Sequence, residues 1–227
     1  MIVDVILLSN AKNQKLLEVT QNAIDTCHYS EHFIKFNIVV IEQSNAVYRN
    51  AKTIKHNAEF NYNGFLNFGL SQTENEYVAL CNNDLQFHQL WASNIITAMQ
   101  THNLLSASPL CPHRQGRQFR GELNVEFGYN NGQHLSGWCI VINRKLLSII
   151  GELRANFPFW FADNEYAEQL KEHGIKHALV RNSVVRHISS ATLHTIQKQD
   201  YLTTDYIRKF IEMYPENESA KYFAANL

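Results

Sequence analysis

The chain has no apolar run approaching the roughly 18 residues that a membrane span requires. Its most apolar opening, Ile2 to Leu8, is broken by Asp4 and lacks a basic flank, so neither a span nor a secretory signal is expected, and the protein is read as cytoplasmic. Cysteine is scarce. Cys27, Cys81, Cys111 and Cys139 are too widely spaced for a zinc knuckle or a CxxC redox pair, which leaves them as reduced core thiols. Charge of one sign is also missing: 20 Lys and Arg stand against 21 Asp and Glu, so no long-range pull toward nucleic acid or an anionic membrane exists. The 9 glycines and 4 prolines form no linker tract, and there is no internal repeat. What is there is an ordinary globular composition, 45% hydrophobic and 18% charged, on a length that buries the core of one domain.

Strand and helix patterns alternate through the first half. Val3 to Leu8 ends at Ser9-Asn10, an amphipathic stretch follows from Gln14 to Thr26, and a second strand, Phe36 to Ile41, ends at Glu42-Gln43-Ser44. A unit of this kind is parallel and right-handed, and such sheets bind ligands beyond the strand C-termini. A helix from Gly64 to Ser71 leads into a third strand, Tyr77 to Cys81, which stops at Asn82-Asn83-Asp84. Leu90 to His102 repeats at helical spacing, and Leu104 to Ala107 suits a further strand. Beyond Pro109 the period is lost, so Cys111 to Asn131 is expected to be loop-rich or antiparallel. Ile140 to Ile142 reads as a strand, Arg144 to Ile150 as a helix, Asp163 to His173 as a helix closed by Gly174, and Val180 to Val185 as a last strand reaching His187. The tail, Gln199 to Met213, predicts an amphipathic helix.

Asp84 places a carboxylate at a strand end, where Mg2+ or Mn2+ finds the oxygen donors it needs beside a diphosphate. Taken alone, Asn82-Asn83-Asp84 reads equally well as a turn with side-chain bonding. The order of segments around it says more: Asn63-Gly64, Asn67 and Gly69; then Glu76 through Asp84; then Leu135-Ser136-Gly137-Trp138 followed by Arg144; then Phe161-Ala162-Asp163-Asn164-Glu165; then Val185-Arg186-His187. From Val3 to Ser190 this order resembles the family 2-type glycosyltransferases of the GT-A fold.

The resemblance implies a GT-A-like α/β domain with a Rossmann-like, mixed, mostly parallel sheet flanked by helices. Residues 1–108 would form its nucleotide-sugar half, 109–198 its acceptor and catalytic half, and 199–227 a C-terminal helix. It implies transfer of a sugar from a nucleotide-sugar donor, UDP-linked, to a hydroxyl of a saccharide or other acceptor, with inversion when the base is an aspartate at position 163. Asp84, His187 and Asn82 take the metal positions, while Ser9, Asn10, Glu42, Asn67 and Asn83 take positions near the nucleotide. The chain departs from the family at Asn82, which stands for the first acid of a DxD, and at Ala162, where a glutamate is usual. An amide supplies an oxygen without charge, which weakens the hold on Mn2+ or Mg2+.

The chemistry asks for these residue types independently. A cation held by Asp84 and His187 would act as a Lewis acid on the leaving diphosphate. Asp163, which follows the aromatic run from Phe157 to Phe161, suits a base that takes the acceptor's proton, and equally a helix cap. Trp138 and Trp160 belong to the acceptor side, where rings stack on sugar faces. Glu165 would orient acceptor hydroxyls or pair with Arg186. Arg117, in the basic stretch from His113 to Arg120, would clamp a diphosphate or anionic acceptor, and the mixture of Arg and Phe there leaves open a modified DNA base as acceptor. Two rival functions remain. A nucleotidyltransferase is disfavoured because the loop Ser9 to Asn13 lacks glycines, whereas a nucleotide-binding module that has lost catalysis would suit Asn82.

Overall fold

A computed structural model describes residues 1–113, 115, 124–188 and 204–226. The opening apolar run forms β1 (Ile2–Ser9), buried on both faces from Val3 onward, which is why it shows no polar alternation. Asn13 then caps α1 (Gln14–His28) by accepting the Leu16 N–H at 3.0 Å. Next come β2 (Lys35–Glu42), β3 (Lys52–Lys55), α2 (Tyr62–Ser71), β4 (Tyr77–Asn82), β5 (Leu85–Phe87), α3 (Trp91–Thr101) and β6 (Ser106–Leu110). The second half holds β7 (Val125–Phe127), β8 (Cys139–Asn143), a 3-10 turn (Arg144–Leu146) running into α4 (Leu147–Ile150), α5 (Ala162–Glu172), β9 (His177–His187), α6 (Thr204–Met213) and α7 (Glu218–Ala224).

The strands lie in the order β3-β2-β1-β4-β8-β6-β9-β5, with β7 added to β9. From β3 to β4 all pairs are parallel. Strand β8 enters antiparallel between β4 and β6, and β9 runs parallel to β6 but antiparallel to β5 and β7. Side chains of β1 divide between two cores. Val3, Val5 and Leu7 meet Ile24 of α1 and Trp91 and Ile95 of α3, while Ile6 and Leu8 meet Leu66 of α2 and Leu170 of α5. Gly69 lets α2 lie close: a Cβ there would come within 2.5 Å of Ile6 Cγ2.

Asp4, which interrupts the opening run, is fully buried and fully used. It accepts bonds from the Asn37 amide, the Asn75 backbone and side chain, and Arg144 Nη2 at 3.3 Å, tying three segments together at one end of the sheet. All four cysteines are buried and unbridged, with Cys81 Sγ 3.6 Å from Cys139 Sγ across β4 and β8. No helix among the described residues is long and apolar enough to cross a membrane.

The structure corrects the sequence reading where elements are short. Strands β3 and β5 and helix α7 have too few residues to show a period, and β7 lies in the stretch expected to be loop-rich or antiparallel. The helix expected from Arg144 to Ile150 is a 3-10 turn and a single α turn, and of the expected terminal helix Thr204 to Met213 is described.

One buried chain of hydrogen bonds supports the second half. His177 Nε2 lies 3.3 Å from the His134 carbonyl, which can only accept, so Nε2 carries the proton and Nδ1 accepts from Ser106 Oγ at 2.8 Å; Ser106 in turn accepts from the Tyr166 hydroxyl at 2.7 Å. Burial lowers the His177 pKa to about 3. A histidine depressed in the folded state is protonated first in the unfolded state, so stability is lost as pH falls from about 6.5 toward that value. Acidification from pH 6.5 to 5 is expected to cost roughly 2 kcal/mol. Thermal melts of the wild type and His177→Gln over that range check this: parallel curves would show that the buried ring is not responsible.

Candidate functional site

Asp84 and His187 are 103 residues apart, yet His187 Nε2 lies 3.0 Å from Asp84 Oδ1. Strand pairing brings them together. Leu85 of β5 is registered against His187 at the end of β9, and the Ile188 N–H donates to the Asp84 carbonyl at 2.9 Å. Trp138 stacks on the imidazole with ring centres 5.9 Å apart and planes 10° from parallel. The His187 Nδ1 is buried and has no hydrogen-bond partner among the described residues. Imidazole nitrogen and carboxylate oxygen are donor types that a divalent cation accepts, and at this separation the two are hydrogen-bonded to each other. Among the described residues no third Asp, Glu, His or Cys joins them.

A cleft of about 590 Å3 opens beside this pair, and Asn82, His187, Trp138, Trp160 and Asp163 all line it. Asp163 sits in the first turn of α5, where its Oδ1 accepts the Asn164 N–H at 3.0 Å. Burial raises its pKa above the usual carboxylate value, against the pull of backbone N–H groups of Asn164, Asp163 itself and Gly137. Gly137 is pressed against it: a Cβ on that residue would come within 2.9 Å of Asp163 Cβ.

Sequence reasoning missed Tyr62. Its hydroxyl lies 2.5 Å from the Gly137 carbonyl and 2.9 Å from Asn82 Oδ1, joining the end of β4 to the Gly137 turn. A phenol has one proton and cannot donate to both. The proton goes to one of the two oxygens, and Asn82 Oδ1 lies beside the phenol either way. The cleft wall also includes Asn131, whose two amide atoms are buried with no hydrogen-bond partner among the described residues. Neither residue belongs to a motif; only the chain's return to the cleft reveals them.

The residues assigned to the nucleotide fall into three places. Ser9, Glu42 and Asn83 are buried in one network: Ser9 Oγ lies 3.1 Å from Thr20 Oγ1 and 2.9 Å from the Tyr48 hydroxyl, Tyr48 donates to Glu42 at 2.7 Å, and Asn83 donates to Thr20 at 2.8 Å. Burial raises the Glu42 pKa, but hydrogen bonds from Ser44, Tyr48 and Ser9 outweigh it and leave the carboxyl below its ordinary value. Asn10 is half-buried and bonded to Gln43 at 3.3 Å. Asn67 is turned elsewhere, exchanging two bonds with the Leu153 backbone. Glu165 is also enclosed: it pairs with Asn156 and Tyr214, not with Arg186. Arg117 lies outside the described residues, as do Arg114 and Arg120.

No protein-family model and no curated protein sequence matches the chain. Solved structures do. GalNAc-T7 with UDP, GalNAc and Mn2+ superposes with a TM-score of 0.69 at 10% identity, covering 92% of this chain and 48% of that one. The mannosyltransferase PcManGT from Pyrobaculum calidifontis, with GDP-Man and Mn2+, gives 0.65 at 13% identity, covering 95% and 65%. TarS of S. aureus gives 0.57 at 13%, covering 82% and 36%. The chain thus spans from about a third to two thirds of the length of these proteins. None of them is named for a nucleic-acid acceptor, and that reading gains no support. At such identities the likeness is one of fold, and the chain has the GT-A fold of these glycosyltransferases.

Proposed function

We propose that the protein transfers a sugar from a nucleoside-diphosphate donor, UDP-linked in the first instance, to a hydroxyl of a saccharide or similar acceptor. The observation that carries this reading is that Asp163, Asn82 and the Asp84-bonded His187 face one cleft. Transfer needs two opposite things within one site: relief of negative charge on the leaving diphosphate, and a base for the attacking hydroxyl.

Asp84 and His187, with the Asn82 oxygen, would hold Mn2+ or Mg2+, which supplies Lewis-acid stabilisation of the diphosphate. The remaining work belongs to the chain. Asp163 accepts the acceptor's proton; its raised pKa makes it a stronger base, and its place in the first turn of α5 fixes its direction. Trp138 and Trp160 give flat apolar walls for sugar rings and displace water from the cleft. Attack opposite the leaving group by an acceptor held at Asp163 gives inversion. The buried network of Ser9, Glu42 and Asn83 supports the nucleotide end by fixing the ends of β1, β2 and β4.

A second reading, a nucleotide-binding module without turnover, draws on Asn82, whose amide lowers the charge available to a cation. Thermal shift separates the two. A ligand at a hundred times its Kd stabilises by about 2.7 kcal/mol, and in a domain of this size that raises Tm by roughly 5 to 10 °C. UDP with Mn2+ is expected to do so, with GDP tested in parallel. No response to either nucleotide would sink both readings; a response with no turnover of any donor, in the presence or absence of acceptor, would favour the module.

A further inference from the structure

Asp163 is preceded by a residue in a conformation that its side chain opposes. Phe161, at the head of α5, has φ 69° and ψ −1°, in the left-handed region that bulky residues avoid. Such a residue persists only where its surroundings over-determine it. Those surroundings are the C-terminal helices. The Phe161 ring stacks on Phe210 of α6 at 4.3 Å with planes 11° from parallel, and meets Phe223 of α7 edge-on at 5.5 Å. Phe157 closes the cluster, 5.7 Å from both Phe161 and Phe210. Phe210 itself is fully buried.

The same helices take hold of α5 at two more points. The Tyr214 hydroxyl donates to Glu165 Oε1 at 3.1 Å, and Asn164 Nδ2 donates to Ser219 Oγ at 3.1 Å. Residues 161, 164 and 165 are thus bound to α6, to α7 and to Tyr214 between them, while Asp163 turns to Gly137 and the cleft. Positive φ alone would not mark a device: Leu90 heads α3 with φ 61° and is 48% exposed. What sets Phe161 apart is the clamp, and the cleft residue two positions beyond it.

We infer that α6 and α7 brace the site, with Phe210 a positioning residue that holds Phe161 left-handed and thereby aims Asp163 into the cleft. The inference rests on the reading of Asp163 as base. It gives the C-terminal helices a task in turnover that is separate from donor binding, since the residues placed at the nucleotide and metal lie at the ends of β1, β2 and β4, in the turns directly after them, and at the end of β9.

The test uses the full chain carrying Phe210→Ala, with Phe210→Leu as a milder variant should the first not fold. Crystal structures give the direct readout. The expected result is that Phe161 leaves positive φ and the Asp163 carboxyl leaves Gly137; Phe161 and Asp163 unmoved would overturn the brace. In kinetics, Phe210→Ala is expected to keep the UDP and Mn2+ thermal shift of the wild type while donor turnover falls about a hundredfold, the scale of a misplacement near 1 Å. Phe161→Gly added to Phe210→Ala restores the left-handed turn without strain and is expected to recover part of that loss. Turnover and nucleotide binding declining together, or no recovery with glycine, would mean general loosening and defeat the proposal. A wild type inert toward every donor would defeat the transferase reading instead, and the crystal structures would still decide the brace.

Discussion

Replacing Asp163 by Asn is expected to lower turnover by about 10²- to 10⁴-fold, the contribution of a positioned general base, and at the same time to raise thermal stability. The two effects have one cause. Burial raises the Asp163 pKa in the folded protein, so folding disfavours its ionised form. For such a group stability is greatest below the unfolded carboxylate value and is lost as pH rises through the folded one. At neutral pH the native aspartate therefore costs stability, and an amide of the same shape does not. Melts from pH 3 to pH 8 should show the Asn variant gaining on the wild type as the carboxyl ionises, then keeping a constant lead. Nucleotide binding should be unchanged. Surviving turnover would remove Asp163 from the role of base, and a variant less stable than the wild type at neutral pH would show that the carboxylate is structural.

Asp84→Asn carries the second large effect. Asp84 would be the one carboxylate in the proposed donor set with His187 and Asn82, so its loss would leave an amide pair and an imidazole, a weak site for a hard cation. The Mn2+-dependent part of the nucleotide thermal shift is expected to vanish, while any shift from nucleotide alone persists. Turnover should fall by at least about 10²-fold, as when a preorganised electrostatic group is removed from a site of charge development. His187→Gln should behave alike, and the double variant should be little worse than either, since groups that serve one ion act as a unit. Additive losses would show that the two residues do not share a ligand. Equal Mn2+ dependence in wild type and Asp84→Asn would remove the metal from this place altogether.

The parts of the site that could be read in advance were those carried by local runs. Asp84 stands at the end of an apolar strand and Asp163 beside an aromatic run, and each announces itself within ten residues. Tyr62, Asn131 and Phe210 carry no such signal. Tyr62 looks like any aromatic at the start of a helix until the Gly137 carbonyl arrives from 75 residues away. Asn67 and Glu165 illustrate the opposite case: correct residue types at suggestive positions, whose polar atoms are taken by Leu153 and by Asn156 and Tyr214.

The sequence by itself determined β1, β2 and β4 of the parallel half of the sheet, though not the short β3, because buried strands and amphipathic helices write their periods into neighbouring residues and strand C-termini follow from them. It also determined which acids stand at strand and helix ends. The family resemblance named Asp84, His187 and Asp163 together, but tertiary structure alone brings His187 Nε2 to 3.0 Å from Asp84 Oδ1 and puts His187 and Asp163 on one cleft. Those meetings depend on the three-residue strand β5 finding register with β9, on Gly137 admitting Asp163, and on α6 holding Phe161. Each is a contact between distant segments, fixed by packing geometry, and no local period encodes it.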